Sequence, residues 1–104
     1  MTKILYFITD MDPLGVELAL KQKEMGKSME VGICLLQDAV YFGCHGRKGI
    51  GTVTEAIKHG IQVFAAKKDV ELRGLTKLLN KEIRILDYAE VIDLIFSYEK
   101  IVNI

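Results

Sequence analysis

Three stretches of this chain are apolar almost without a break: Lys3 to Thr9 (KILYFIT), Glu30 to Leu36 (EVGICLL) and Ile61 to Ala66 (IQVFAA). A strand with one wet face alternates apolar and polar residues, whereas a strand buried on both faces reads as a continuous apolar run. Helical patterns fill the gaps between the runs. Ile83 to Leu86 reads as a short fourth strand and Ile101 to Ile104 as a fifth, at an edge. Apolar strands alternating with helices require a parallel sheet covered on both faces, with right-handed crossovers. Ligands and chemistry gather at the carboxyl ends of such strands. Here those ends are Thr9-Asp10, Gln37-Asp38, Ala65-Ala66 and Leu86-Asp87.

The helix boundaries follow from local chemistry. Asp12 suits an N-cap with Pro13 at the first helical position, and Gly26 suits the C-cap. Leu14, Leu18 and Met25 share one stripe of that helix, with Lys21 and Glu24 facing water. Asp38 is placed to cap the segment after the second strand. Arg47 to Gly51 reads as a loop, since Gly46, Gly49 and Gly51 oppose a helix. Thr52 or Thr54 then starts a short helix that runs through Lys58 and ends at Gly60. Lys67 to Asn80 holds a short helix or turns around Arg73-Gly74. Tyr88 to Tyr98 carries Val91, Ile92, Leu94, Ile95 and Tyr98 as a final amphipathic helix.

A length of 104 residues points to one domain, spanning 1–104, with enough interior to need no staples. Lysine plus arginine and aspartate plus glutamate both total 14, so nothing in the balance asks for nucleic acid or an anionic membrane. Cys34 and Cys44 cannot build a disulfide framework, and their spacing fits no common zinc site, so no metal is expected. Met1-Thr2-Lys3 leads into a run too short for a secretory core, and no apolar stretch approaches the ~20 residues of a membrane span. A cytoplasmic chain with reduced thiols is the expectation. Met1, Met11, Met25 and Met29 read as core filler or terminal residues.

Cys44 is the residue on which function turns. It lies one or two helical turns beyond the second strand, beside His45 and near Arg47 and Lys48. Neighbouring cations stabilise the reactive thiolate. Adjacent helical residues, however, point about 100° apart, and a free cysteine often serves as a small apolar packing residue. Both readings of Cys44 stand. Cys34, inside a strand, reads as structural. Gln37-Asp38 reads as a ligand pair or as a helix cap. Gly43 to Gly51 holds glycines and two cations, as an anion-binding loop or a solvated one, without the Gly-Lys-Ser/Thr of a Walker motif. Arg73 beside Gly74 either binds an anion or pairs with Glu71, Asp69 or a partner subunit. His59 suits a helix C-terminus.

Three blocks, CLLQDAVYFG, GIQVFAAKKDVELRGL and IRILDYAEVIDLI, recur in this order across Ile33 to Ile95. In them the chain resembles the DsrH/TusB branch of the DsrE/F/H-like sulfur-relay proteins. The resemblance implies a three-layer α/β/α domain with a mostly parallel sheet of four to five strands. It also implies assembly into homo-oligomers, or hetero-oligomers with related DsrE/F-like subunits. Such assemblies pass persulfide sulfur between cysteines, for tRNA thiolation or dissimilatory sulfur oxidation, with no cofactor and no direct nucleic-acid contact. Persulfide donor and acceptor proteins are the implied partners. In the DsrE/TusD branch the sulfur-carrying cysteine lies at or just after the end of strand three. This chain has Phe64-Ala65-Ala66-Lys67 there, and no cysteine precedes Ile33. Gln37, Asp38, Arg73, Gly74 and Tyr88 match the family's motif positions and are read as scaffold or interface residues, with His45 beside them as a binding candidate. The expectation is a non-catalytic subunit of a sulfur-relay complex. The alternatives are a sulfurtransferase that uses Cys44 as its persulfide carrier, and a small anion- or nucleotide-binding module.

Overall fold

A computed structural model describes the chain except for Met1, Lys27 and Lys48. The described residues form five strands: β1 Lys3–Ile8, β2 Glu30–Leu35, β3 Gln62–Ala66, β4 Arg84–Leu86 and β5 Lys100–Asn103. They form one sheet in the order β4-β3-β2-β1-β5, and every neighbouring pair is parallel. Helix α1 spans Leu14–Met25, α2 Ile50–Lys58, α3 Lys67–Leu72 and α4 Tyr88–Ser97, and a 3-10 helix covers Gln37–Gly43. The result is a three-layer α/β/α domain, with all strands parallel.

The order explains the layers. From β1 to β4 the chain steps one strand at a time in one direction, so right-handed crossovers keep its helices on one face. Val16 and Ala19 of α1, Val53 and Ala56 of α2 and Val70 of α3 all join the same core, with Ile4, Ile8, Ile33, Leu35, Val63 and Ala65 of the sheet. From β4 the chain returns across the whole sheet to β5, which sends α4 over the opposite face. There Val91 and Leu94 pack against Leu5, Cys34, Phe64 and Leu86. Side chains alternate along each strand, so both faces bury apolar residues, which is why the strands read as continuous runs.

Several boundaries follow the chemistry of their residues. Helix α1 starts one residue later than expected, with Pro13 at the N-cap and no side-chain cap, while the Asp12 carboxylate just before it accepts from Leu14 N at 2.9 Å. Asp87 and Glu90 form a reciprocal capping box at the start of α4.

Other expectations are corrected. Leu14, Leu18 and Met25 do not face the core: the buried side of α1 is Gly15, Val16 and Ala19, and the apolar stripe is exposed. Gly15 explains this, because an added Cβ would meet Ile8 at 2.9 Å, so the helix lies close on β1 through its small residues. Met11 and Met25 are likewise exposed, and only Met29 packs on the core as filler, Met1 lying outside the described residues. Helix α2 begins at Ile50, two residues before Thr52, and carries Gly51 inside it. Gly49, at φ +100°, makes the turn into the helix. The C-terminal residues pair with β1 of the same chain. Among the described residues, no helix is long and apolar enough to cross a membrane.

Candidate functional site at the carboxyl edge

Strands β3 and β4 are neighbours, but α3 and α4 leave their carboxyl ends toward opposite faces. Such a divergence opens a crevice, and ligands of open α/β sheets bind at crevices of this kind. Here the crevice has a volume of about 430 Å3 and is lined by Lys67, Lys68, Glu71, Leu72, Asp87 and Tyr88. Tyr88 is 82% exposed at the first position of α4.

Beside the crevice an ion-pair network ties the ends of β2 and β3 together. Arg73 donates from Nε at 3.2 Å and from Nη2 at 2.9 Å to Oδ1 of Asp38. Its Nη1 donates to the Asp69 carbonyl at 3.3 Å and lies 3.5 Å from the Asp69 carboxylate. Asp38 therefore serves Arg73 across 35 positions of sequence and makes no side-chain cap on the 3-10 helix. Glu71, a suggested partner of Arg73, is not bonded to it among the described residues, whereas Asp69 is. Gly74, at φ +64°, turns the chain just past Arg73. Gln37 has φ +51°, the one non-glycine residue in the left-handed region among those described. That strain sits where β2 ends and the chain bends under the arginine.

Both cysteines are fully buried, at 0% exposure. Burial, reinforced by the negative charge of Asp69, pushes the Cys34 thiol up to about 12. Burial also raises the Cys44 thiol, outweighing the opposing pull of Arg47. The Cys44 Sγ donates to the Val40 carbonyl at 3.6 Å. A neutral, enclosed thiol is a poor nucleophile. Both sulfurs are thus enclosed, and burial favours the neutral thiol at each. Arg47 lies over the Tyr41 ring, 4.8 Å from its centre, and Lys48 lies outside the described residues.

The residues singled out in the sequence thus separate into two groups. Gln37, Asp38, Arg73 and Gly74 adjoin one another, and Tyr88 lines the crevice next to them. Cys44 and His45 lie elsewhere, where Cys44 forms an antiparallel bridge with Leu79 and His45 N donates to the Leu78 carbonyl at 2.8 Å. Sequence reasoning missed Lys67 and Lys68 as crevice residues. Their signal was their place at the end of the third strand. Among the described residues, no cluster of His, Cys, Asp or Glu is arranged to hold a metal.

The fold and crevice define an open parallel α/β domain whose candidate site lies at the divergence of two crossovers. A family model described as "DsrH like protein" matches residues 28–101, and the chain belongs to this DsrH-like family. The fold is similar to that of the ychN protein of E. coli, with a TM-score of 0.88 at 20% identity over 100% of both chains. It is similar to that of MTH1491 from Methanobacterium thermoautotrophicum, a protein of unknown function, with a TM-score of 0.85 at 11% identity over 100% of both chains. BT1422 from Bacteroides thetaiotaomicron, also of unknown function, aligns over 97% of this chain and 94% of its own, with a TM-score of 0.79 at 18% identity. At these identities the likeness concerns the fold. The search of curated proteins gave no match.

Proposed function

We propose that this protein is a non-catalytic subunit of a cytoplasmic sulfur-relay assembly, one that passes persulfide sulfur in tRNA thiolation or sulfur oxidation. The observation that carries the reading is the full burial of both thiols in a chain of the DsrH-like family. Persulfide transfer needs a thiolate that a donor can reach. A subunit whose sulfurs are sealed contributes shape and contacts, and its partners contribute the working cysteines.

In this role Asp38, Arg73 and Gly74 hold the carboxyl edge in form, and Tyr88 with Lys67 and Lys68 meets a related subunit there. Apolar exposure supports association. Tyr88, Ile92 and Phe96 follow one another at four-residue spacing along α4 and face solvent, with Leu72 beside the same crevice. Tyr41, Phe42 and Ile50, and Ile101, Val102 and Ile104 near the C-terminus, are partly or fully buried within the chain.

The test is intact-protein mass spectrometry after incubation with a persulfide donor, run beside Cys34→Ser and Cys44→Ser variants. The expected result is no adduct on the native chain from a donor that loads a control persulfide protein. A sulfur adduct of about 32 Da lost only in Cys44→Ser would overturn the reading and make Cys44 a carrier.

A further inference from the structure

Away from the carboxyl edge, a second concavity of about 470 Å3 lies where the chain enters β3 and β4. Lys58 and Thr54 come from α2, His45 from the turn after the 3-10 helix, and Lys77, Asn80 and Lys81 from the segment that leads into β4. The floor is fixed by backbone. Cys44 bridges Leu79, Asn80 N donates to the Gly43 carbonyl at 2.7 Å, and His45 N donates to the Leu78 carbonyl at 2.8 Å.

Elsewhere in the molecule some cations are paired with carboxylates, while others, such as Lys67 and Lys68, have no ion-pair partner among the described residues. Lys3 pairs with Glu30, Arg73 with Asp38 and Asp69, Arg84 with Glu90, and His59 with Glu55. Among the described residues, Lys58, Lys77, Lys81 and the His45 ring have no ion-pair or side-chain hydrogen-bond partner, although they converge on one hollow. One carboxylate, Glu82, shares the lining. In a chain of zero net charge this is a local positive excess. The dipole of α2 accounts for Lys58 in its last turn. It does not account for Lys77 and Lys81, which come from another segment. Like charges brought together in a concavity repel one another unless an anion joins them.

We propose that this hollow binds a compact polyanion carrying two or more phosphate groups. Lysine ammonium groups suit phosphate oxygens as point charges, and they can approach a small anion from several directions. The Thr54 hydroxyl is committed to the Ile50 carbonyl at 2.8 Å, and the Asn80 carbonyl oxygen accepts from Glu82 N at 2.8 Å. That leaves the Asn80 amide hydrogens as neutral donors. The lining contains no arginine and no aromatic ring besides the His45 imidazole, so it offers little of the stacking surface with which proteins hold single-stranded RNA.

The chain has two histidines, which supply the probe and its control. His45 lines the hollow, and His59, just past the end of α2, is bonded to Glu55 at 3.0 Å. Proton NMR of the two imidazole rings during titration with inorganic pyrophosphate, at constant ionic strength, reads the site directly. The expected result is a saturable shift of the His45 signals with little movement of His59. In Lys77→Ala/Lys81→Ala the affinity falls at least about tenfold, because two charge-assisted contacts are lost. Lys21→Ala/Lys100→Ala removes the same charge elsewhere and leaves the affinity unchanged. ADP binding as tightly as pyrophosphate assigns the site to phosphate alone, and tighter ADP binding assigns the rest of the hollow to a nucleoside. Absence of a saturable His45 shift, equal shifts of both rings, or undiminished affinity in the Lys77→Ala/Lys81→Ala variant would overturn the proposal.

Discussion

The two faces of the sheet are sealed to different degrees. On the first, α1, α2, α3 and the 3-10 helix place fully buried residues against the strands. On the second, α4 crosses alone and has no fully buried residue of its own, while Phe96 stands 84% exposed. Tyr98 completes this thin cover by lying against Gly32, where an added Cβ would collide with its hydroxyl. The lesson is that a continuous apolar strand can be covered unequally on its two faces. One face is closely covered by several elements, and on the other the single helix keeps apolar side chains exposed.

This contrast can be broken by experiment. The largest effect is expected on the sealed face. Leu35→Ala should cost about 2–5 kcal/mol in urea unfolding, since a fully buried leucine leaves a cavity behind. Phe96→Ala, by contrast, should change the stability of the monomer by less than about 0.5 kcal/mol. Equal losses would remove the distinction between the faces.

The next effect comes from pH. A thiol whose pKa is raised by folding keeps its proton better in the native state. The associated stability is therefore complete below the ordinary value near 9 and is lost as pH rises toward about 12. The urea midpoint should fall with rising pH through this window, and the fall should be smaller in Cys34→Ala. Identical slopes would mean that the second face is less dry at Cys34 than its 0% exposure indicates.

Gly32→Ala should cost about 1–3 kcal/mol by displacing Tyr98, measured by thermal melting. Asp87→Ala, which removes one half of the α4 capping box, should cost about 1 kcal/mol on the same assay. Tyr88→Ser/Phe96→Ser should leave the melt nearly unchanged in dilute solution. It should move the sedimentation profile toward monomer at high concentration, if the second face is completed by a neighbour. An unchanged sedimentation profile would remove α4 as the associating surface.

Much of the fold was legible because strand burial writes itself into local composition. Each of the three long runs became a strand within a residue or two of its expected ends, and the edge position of the fifth was also readable. The face of α1 was not legible. Leu14 and Leu18 look like core residues by periodicity, but the close approach of Gly15 to Ile8 turns them outward. The candidate site was legible in part. Asp38, Arg73 and Tyr88 were named from their blocks, yet the bond from Arg73 to Asp38 spans 35 positions and has no local signal.

By itself the sequence determined the alternation of strands and helices and the absence of a thiol at the end of the third strand, because these are matters of residue type and spacing. Tertiary structure decided which stripe of each helix is buried, that both sulfurs are enclosed, and that lysines from α2 and the segment before β4 share one hollow. Burial and electrostatic convergence depend on what lies across space, and strand order fixes that only when the sheet is assembled.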